Sequence, residues 1–506
     1  MTLSTNALLS RVSLCDQAQH TIDLQYFIFD NDATGRLLAL HLLQAADRGV
    51  HVRILVDDLN VEDDARMFRG LAAASPNIEV RLFNPFHSPA PFPLLKGAQF
   101  LLEFRRLNRR MHNKDFIVDN EVAIIGGRNI GDSYFDANAD NNFRDLDLIA
   151  IGPVVPEATR TFESYWNSEA SHPLAEFPAK PKETTTATMT APPQAPVATT
   201  SAQAPVATSK DDGSRGDGSA PPAVPVSSDD PAQERAILEK NARGFEQSAY
   251  SDAAATDLPF GASADRPGNW FWGPASLVAD QPEKIEQGPE RKDLRISPEL
   301  RGMIRSAKSE VLVISPYFIP SGHDDVNLIG LAQGGVAVKV LTNSLASTDE
   351  LAAYDGYSAH RRDLIAGGVQ LYELKPAPGA PTTATDAGRS SGVSLHAKAI
   401  VVDHRYVFIG SMNMDVRSKL LNTEMGVVVD SPQLAKTVTD FFATATAPAN
   451  AYHVVLGAPD GSDRGSLHWE SRKDGKDVDE DREPDASPGR RFKALLVKLL
   501  PLDGLL

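Results

Sequence analysis

Two histidines, two lysines and two aspartates recur in this chain at one spacing. In MHNKDFIVDNEVAIIGGRN they are His112, Lys114 and Asp119; in LHAKAIVVDHRYVFIGSMN they are His396, Lys398 and Asp403. Glycine follows each H-x-K-x4-D run, as Gly126 and Gly127 or as Gly410 with Ser411. An asparagine, Asn129 or Asn413, then stands at the same distance behind its histidine in both copies. The chain has 12 histidines, so one chance match to so short a pattern arises in roughly a few per cent of such chains. Two matches with matching tails do not.

These residue types suit the chemistry of a phosphodiester. One histidine can attack phosphorus to give a phosphohistidine, dividing a hard displacement into two easier ones. The other can protonate the leaving alcohol and later deprotonate an acceptor, work for a group whose pKa lies near ambient pH. Lys114, Lys398, Asn129 and Asn413 supply fixed charges and donors for the non-bridging oxygens. Side chains two apart on a strand share a face, so each H-x-K pair aims at one phosphate. Asp119 and Asp403 complete the motifs but lie at the strand ends, where bracing the local structure fits them better than touching substrate. Gly126, Gly127 and Gly410 read as turn or close-packing positions. No H-E-x-x-H run and no cysteine cluster points to a metal.

The runs RRMHNKDFIVD, GGRNIGDSYF, DLDLIAIGPVV, LTNSLASTD, LYELKP, SLHAKAIVVD and LNTEMG together resemble the two-motif phospholipase D superfamily, and within it the bacterial cardiolipin synthases of the C type. The resemblance spans both motif-bearing halves and the segment joining them. It leaves out a Thr/Ala/Pro-rich stretch after residue 177. It implies an α/β fold: two pseudo-symmetric α/β sandwich units with the active site at their interface. It also implies that Glu424 orients His396; the pseudo-symmetric position, Asp145, then falls to His112. His112 as nucleophile and His396 as acid/base follow from the same likeness, while the duplicated motif alone leaves that order open. The implied reaction passes a phosphatidyl group from phosphatidylethanolamine or phosphatidylglycerol to a hydroxyl of phosphatidylglycerol, without a cofactor. The implied setting is the cytoplasmic face of the bacterial inner membrane, with the enzyme bound peripherally. Hydrolysis of the same intermediate by water, a superfamily nuclease and a non-enzymatic membrane scaffold stay open as alternatives.

Composition narrows these. A length of 506 residues allows two or three domains, and 42% apolar with 23% charged residues reads as globular. A net charge of −17 is wrong for a nucleic-acid binder that relies on neutralising phosphates. The one cysteine, Cys15, excludes an intramolecular disulfide. The N-terminus lacks a basic region followed by an apolar core, so no signal peptide is expected. No apolar run reaches the ~20 residues that span a bilayer.

The elements that must position the motifs come twice in one order. Residues 1–20 read as a helix with Leu8, Leu9 and Val12 on one face. TIDLQYFIF, VHVRILVDD and NIEVRLF read as strands with helices between them. EVAIIGG and LDLIAIG continue the sheet, and PEATRTFESYWNS closes the first half. EVLVISPYFIP, GGVAVKVLTNS, VQLYELKP and PQLAKTVTDFFATA repeat the scheme. The expected divisions are a first unit over 1–177, a disordered Thr/Ala/Pro-rich linker over 178–233, a bridging segment over 234–290, a second unit over 291–450, and an acidic segment with an amphipathic tail over 451–506. Within the first unit, residues 84–110 set Phe86, Phe92, Leu94, Leu95, Phe100, Leu101, Leu102 and Phe104 before Arg105, Arg106, Arg109 and Arg110, a composition suited to an anionic lipid surface. The tail, RRFKALLVKLLPLDGLL, is a second basic amphipathic stretch.

Overall fold

The computed structural model describes residues 4–60, 65–86, 104–138, 141–177, 228, 230–246, 270–288, 291–320, 327–376, 392–457 and 465–498. Eight strands come from the first half: β1 (Thr21–Tyr26), β2 (His51–Asp57), β3 (Ile78–Phe83), β4 (Asp115–Val118), β5 (Val122–Gly126), β6 (Asn141–Arg144), β7 (Asp147–Ile151) and β8 (Ser171–Pro173). Those of the second are β9 (Ala275–Ala279), β10 (Glu310–Ile314), β11 (Ala337–Asn343), β12 (Gln370–Leu374), β13 (Gly392–Leu395), β14 (Ala399–Val402), β15 (Tyr406–Gly410), β16 (Met425–Asp430), β17 (Ala451–Leu456), β18 (Leu467–Lys473) and β19 (Lys476–Glu480).

The duplication expected from sequence is a duplication of sheet topology. The first sheet has the order β7-β5-β4-β1-β2-β3-β8, and the second contains β16-β15-β14-β10-β11-β12-β17 in the matching order. In both, the three strands that begin the unit are parallel and the motif strand lies antiparallel beside the first of them. The second sheet is extended by β9 at one edge and β18-β19 at the other. Helices connect the parallel strands, since a parallel pair needs a long crossover between its strands. Asp32 caps helix Ala33–Asp47 by accepting from the Gly35 amide, and Ser431 caps helix Pro432–Ala445 the same way from Leu434.

Alternation along the motif strands assigns their side chains to different cores. Ile117 on β4 and Ala399 and Val401 on β14 enter one shared core between the two units, whereas Phe116 and Val118, or Ile400 and Val402, face the outer cores. The inner faces of the two sheets are thus buried against each other, and the two halves form one body around their junction.

Three sequence expectations need correction. The N-terminal helix, Ser4–Gln17, buries Ala7, Leu8, Arg11, Leu14 and Cys15; Leu9 and Val12 are only half-buried. A helix already begins at Pro231, inside the stretch expected to be linker, and packs Leu238 and Ala242 into the first unit's core. Arg110 is buried against Asp57 and the Asn84 carbonyl, Arg106 bonds to Asn84, and Arg109 bonds to the Ile285 carbonyl. Those three arginines tie the chain together instead of lining a lipid-facing loop. Residues 87–103, and most of the 178–233 stretch, lie outside the described residues. Among the described residues no helix is long and apolar enough to cross a membrane.

Candidate active site

Each motif histidine sits just before its strand, not within it. His112 precedes β4, and His396 falls between β13 and β14. At those junctions each unit's backbone is stitched to the other unit. The His112 amide donates to the Thr423 carbonyl at 2.9 Å, and Thr423 donates back to Arg110 at 2.8 Å. On the other side β13 pairs in parallel with β6, and the His396 and Ala397 amides both donate to the Arg144 carbonyl, at 2.8 and 2.9 Å. The two straps are counterparts, since Thr423 leads into β16 as Arg144 leads into β7.

This exchange decides which carboxylate serves which histidine, and it reverses the sequence expectation. Glu424 lies one residue after Thr423, and its Oε2 is 2.8 Å from His112 Nδ1. Asp145 lies one residue after Arg144, and its Oδ2 is 2.6 Å from His396 Nδ1. Every residue of both dyads is buried. An ionised carboxylate only accepts, so a histidine paired with one carries its hydrogen on Nδ1 and leaves Nε2 without one. The lysines curl back on their own histidines: Lys114 Nζ donates to the His112 carbonyl at 2.7 Å, and Lys398 Nζ lies 2.9 Å from His396 Nδ1.

The asparagines are placed less alike. Asn129 Oδ1 accepts from the Ile28 amide at 3.2 Å, and its Nδ2 donates to the Tyr134 hydroxyl at 2.9 Å. The Tyr134 ring in turn lies 5.2 Å from that of His396. Asn413 is buried, its backbone amide donating to Ser418 Oγ at 3.3 Å, and its side-chain Oδ1 meets no partner among the described residues. Asp119 and Asp403 are not part of the cluster. Asp119 accepts from the amides of Gln19, His20 and Thr21, and Asp403 from those of Lys308, Ser309 and Glu310. They stand in the motif with the histidines and lysines but brace it, as their place at the strand ends suggested: each ties the far end of its motif strand to the start of the sheet's first strand. Both are in the left-handed region, at φ 52°, which Asp tolerates better than most residues. Gly127 is a close-approach position, since a Cβ there would come within 2.5 Å of Asp145 Oδ1.

The family match covers residues 12–166 and 300–445 and is described as "Cardiolipin synthase, PLD-like domain". The chain belongs to the phospholipase D superfamily. Cardiolipin synthase C of Escherichia coli (strain K12) is 36% identical to it over 99% of this chain and 94% of that protein. An uncharacterized protein of Helicobacter pylori (strain ATCC 700392 / 26695) is 32% identical over 98% of this chain and 87% of that protein. A solved phosphatidylserine synthase from Haemophilus influenzae Rd KW20 shares the fold, with TM-score 0.54 at 11% identity over 90% of this chain and 86% of that one.

In this phospholipase D-type site the two dyads have unlike electrostatics. Burial would raise the Asp145 carboxyl, yet His396, Lys398 and Arg128 hold it well below the usual carboxylate range. Arg128 donates to the Asp145 carbonyl at 2.9 Å and to Asp147 at 3.0 Å, where Arg11 also binds. Burial pushes the Glu424 carboxyl up to about 7, with Lys114 and Ser411 opposing. Burial and then the charges of Lys114, Lys398 and His396 press the His112 pKa well below its ordinary value. Burial and Lys398 lower that of His396, with Asp145 opposing. Burial brings Lys398 down to about 8.

Sequence reasoning missed the support behind Glu424. Its amide donates to Asp280 Oδ2 at 2.8 Å, and Lys284 Nζ binds the same oxygen at 2.6 Å and the Ser418 carbonyl at 3.0 Å. Ser411 Oγ donates to Glu424 Oε2 at 2.6 Å. Ser411 was legible as the odd member of the glycine repeat, standing where the first copy has Gly127. Asp280 and Lys284 carry no motif.

Proposed function

We propose that the chain is a phosphatidyltransferase that makes cardiolipin. In this reading Nε2 of His112 attacks the lipid phosphorus, the bond to the headgroup oxygen breaks, and His396 gives that oxygen its proton. His396 then takes the proton from a hydroxyl of phosphatidylglycerol as that oxygen attacks, and the phosphorus–nitrogen bond breaks. Lys114 and Lys398, with Asn129 and Asn413, steady the charge on the non-bridging oxygens. Phosphatidylethanolamine or phosphatidylglycerol is the donor, and the protein works peripherally on the cytoplasmic face of the inner membrane.

The crosswise pairing of two buried histidines with two carboxylates of unlike strength carries the reading. It supports the division of labour: a firmly ionised Asp145 stabilises the imidazolium that an acid/base His396 must become, and a neutral His112 is the better nucleophile. The similarity to Escherichia coli cardiolipin synthase C supports the choice of substrates. Purified protein given labelled phosphatidylglycerol, with and without phosphatidylethanolamine, tests it by product analysis. Cardiolipin is expected; phosphatidic acid alone would make the enzyme a hydrolase. Phosphorus trapped on His396 would reverse the two roles.

A further inference from the structure

Helix Pro488–Val497 has no buried residue. Phe492, Leu495 and Leu496 on it are 60%, 57% and 47% exposed. Their i, i+3, i+4 spacing puts them on one face, and Arg491, Lys493 and Lys498 stand exposed around them. The helix is nonetheless fixed in place. Ser487 caps it, the Arg490 guanidinium donates to the carbonyls of Leu345 and Thr348, and Arg491 donates to the Glu483 carbonyl at 2.7 Å.

The loop that Arg490 grips belongs to the active-site side of the second sheet. It leaves β11 at Asn343, whose side chain bonds both ways to the Leu395 backbone, at 2.8 and 2.9 Å. Ser394 donates to the Ser347 carbonyl in the same loop. The helix is therefore anchored to the segment that fixes the residues just before His396.

The size of the apolar face argues against a protein partner. A ten-residue helix is only ~15 Å long, whereas a specific interface buries about 800 Å² on each side. A short apolar face ringed by cations suits an interfacial helix on anionic lipid. The carboxylates nearest before it in sequence do not oppose this strongly, because Glu483 is paired with Arg361 and Asp485 with Lys473.

We propose that helix Pro488–Val497 docks the molecule on an anionic phospholipid surface, with Phe492, Leu495 and Leu496 entering the boundary between headgroups and acyl chains. Arg491, Lys493 and Lys498 meet the lipid phosphates. The choice of surface rests on the phospholipid reading above, but the test reads binding and not turnover. Full-length protein carrying His112→Ala is sedimented with vesicles of phosphatidylglycerol and phosphatidylethanolamine, and with vesicles of phosphatidylcholine alone. Preferential binding to the anionic vesicles is expected. Phe492→Ser/Leu495→Ser/Leu496→Ser should weaken it at least about tenfold with an unchanged unfolding midpoint, and Phe492→Ser alone should weaken it less. Equal binding by parent and variant overturns the proposal, as does a parent that ignores vesicles. A parent dimer that the triple variant converts to monomer overturns it too, assigning the face to a second copy. Wild-type protein that sediments with vesicles yet yields neither cardiolipin nor phosphatidic acid would refute the enzymatic reading and leave the docking intact.

Discussion

His112 and His396 are the same side chain set in two unlike fields. Asp145 is held ionised by His396, Lys398 and Arg128, while burial leaves Glu424 near 7. A pH profile follows from the groups that titrate near neutrality. Glu424 is charged above about 7, so falling pH neutralises it and removes the negative charge that faces His112. Lys398 is charged below about 8, so rising pH removes a cation from beside His396. The expected kcat/KM profile is a bell with limbs near these two values, and Glu424→Gln should lower activity while flattening the acid limb. His396→Ala should reduce kcat by roughly 10²–10⁴-fold, and His112→Ala should leave no labelled enzyme on rapid quench into alkaline detergent, where the parent's phosphorus–nitrogen bond survives. An unchanged acid limb in Glu424→Gln would move that titration to another group.

At the scale of elements, the decisive feature is the short extended segment before each motif strand. Strand β4 or β14 builds its own unit's sheet, but the residues just ahead of it pair with the opposite unit. The bridging segment adds to this by laying β9 beside β16 and bringing Asp280 and Lys284 behind Glu424. Both side chains are buried, and removing one member of a buried ion pair costs about 3–5 kcal/mol because the other charge is stranded. Lys284→Ala should lower the free energy of unfolding by that order in a denaturant titration and reduce turnover, since the Glu424 amide loses a fixed acceptor. Asp280→Asn combined with Lys284→Met should recover most of the stability. A Lys284→Ala protein as stable as the parent would show the pair to be idle.

At the scale of the whole molecule, the active site exists only when both units are docked, because each histidine takes its carboxylate from the other. What joins the units matters less. Phe177 accepts from Arg69 at 3.2 Å, and a Cβ at the neighbouring Gly70 would lie 2.6 Å from the Ser228 carbonyl. The chain therefore leaves and re-enters the described structure at one helix, Ala65–Ala74, and a short bridge can span the gap. Replacing residues 180–226 by a few Gly/Ser residues should keep turnover within about twofold, because loop length costs little free energy. Loss of turnover, or aggregation on purification, would give that segment a structural role.

Local pattern alone was enough to name the superfamily and the strands. His112, Lys114, His396 and Lys398 mark the duplicated motif by type and spacing, and runs such as VHVRILVDD and GGVAVKVLTNS name their own secondary structure. Partnership did not follow, because nearness in sequence is no guide once two units exchange strands. The structure joins His112 to a carboxylate 312 positions away and His396 to one 251 away. Only the packed sheets could decide that, and only they could turn Arg106, Arg109 and Arg110 inward, since a guanidinium beside leucines reads alike whether it meets lipid or a buried carbonyl.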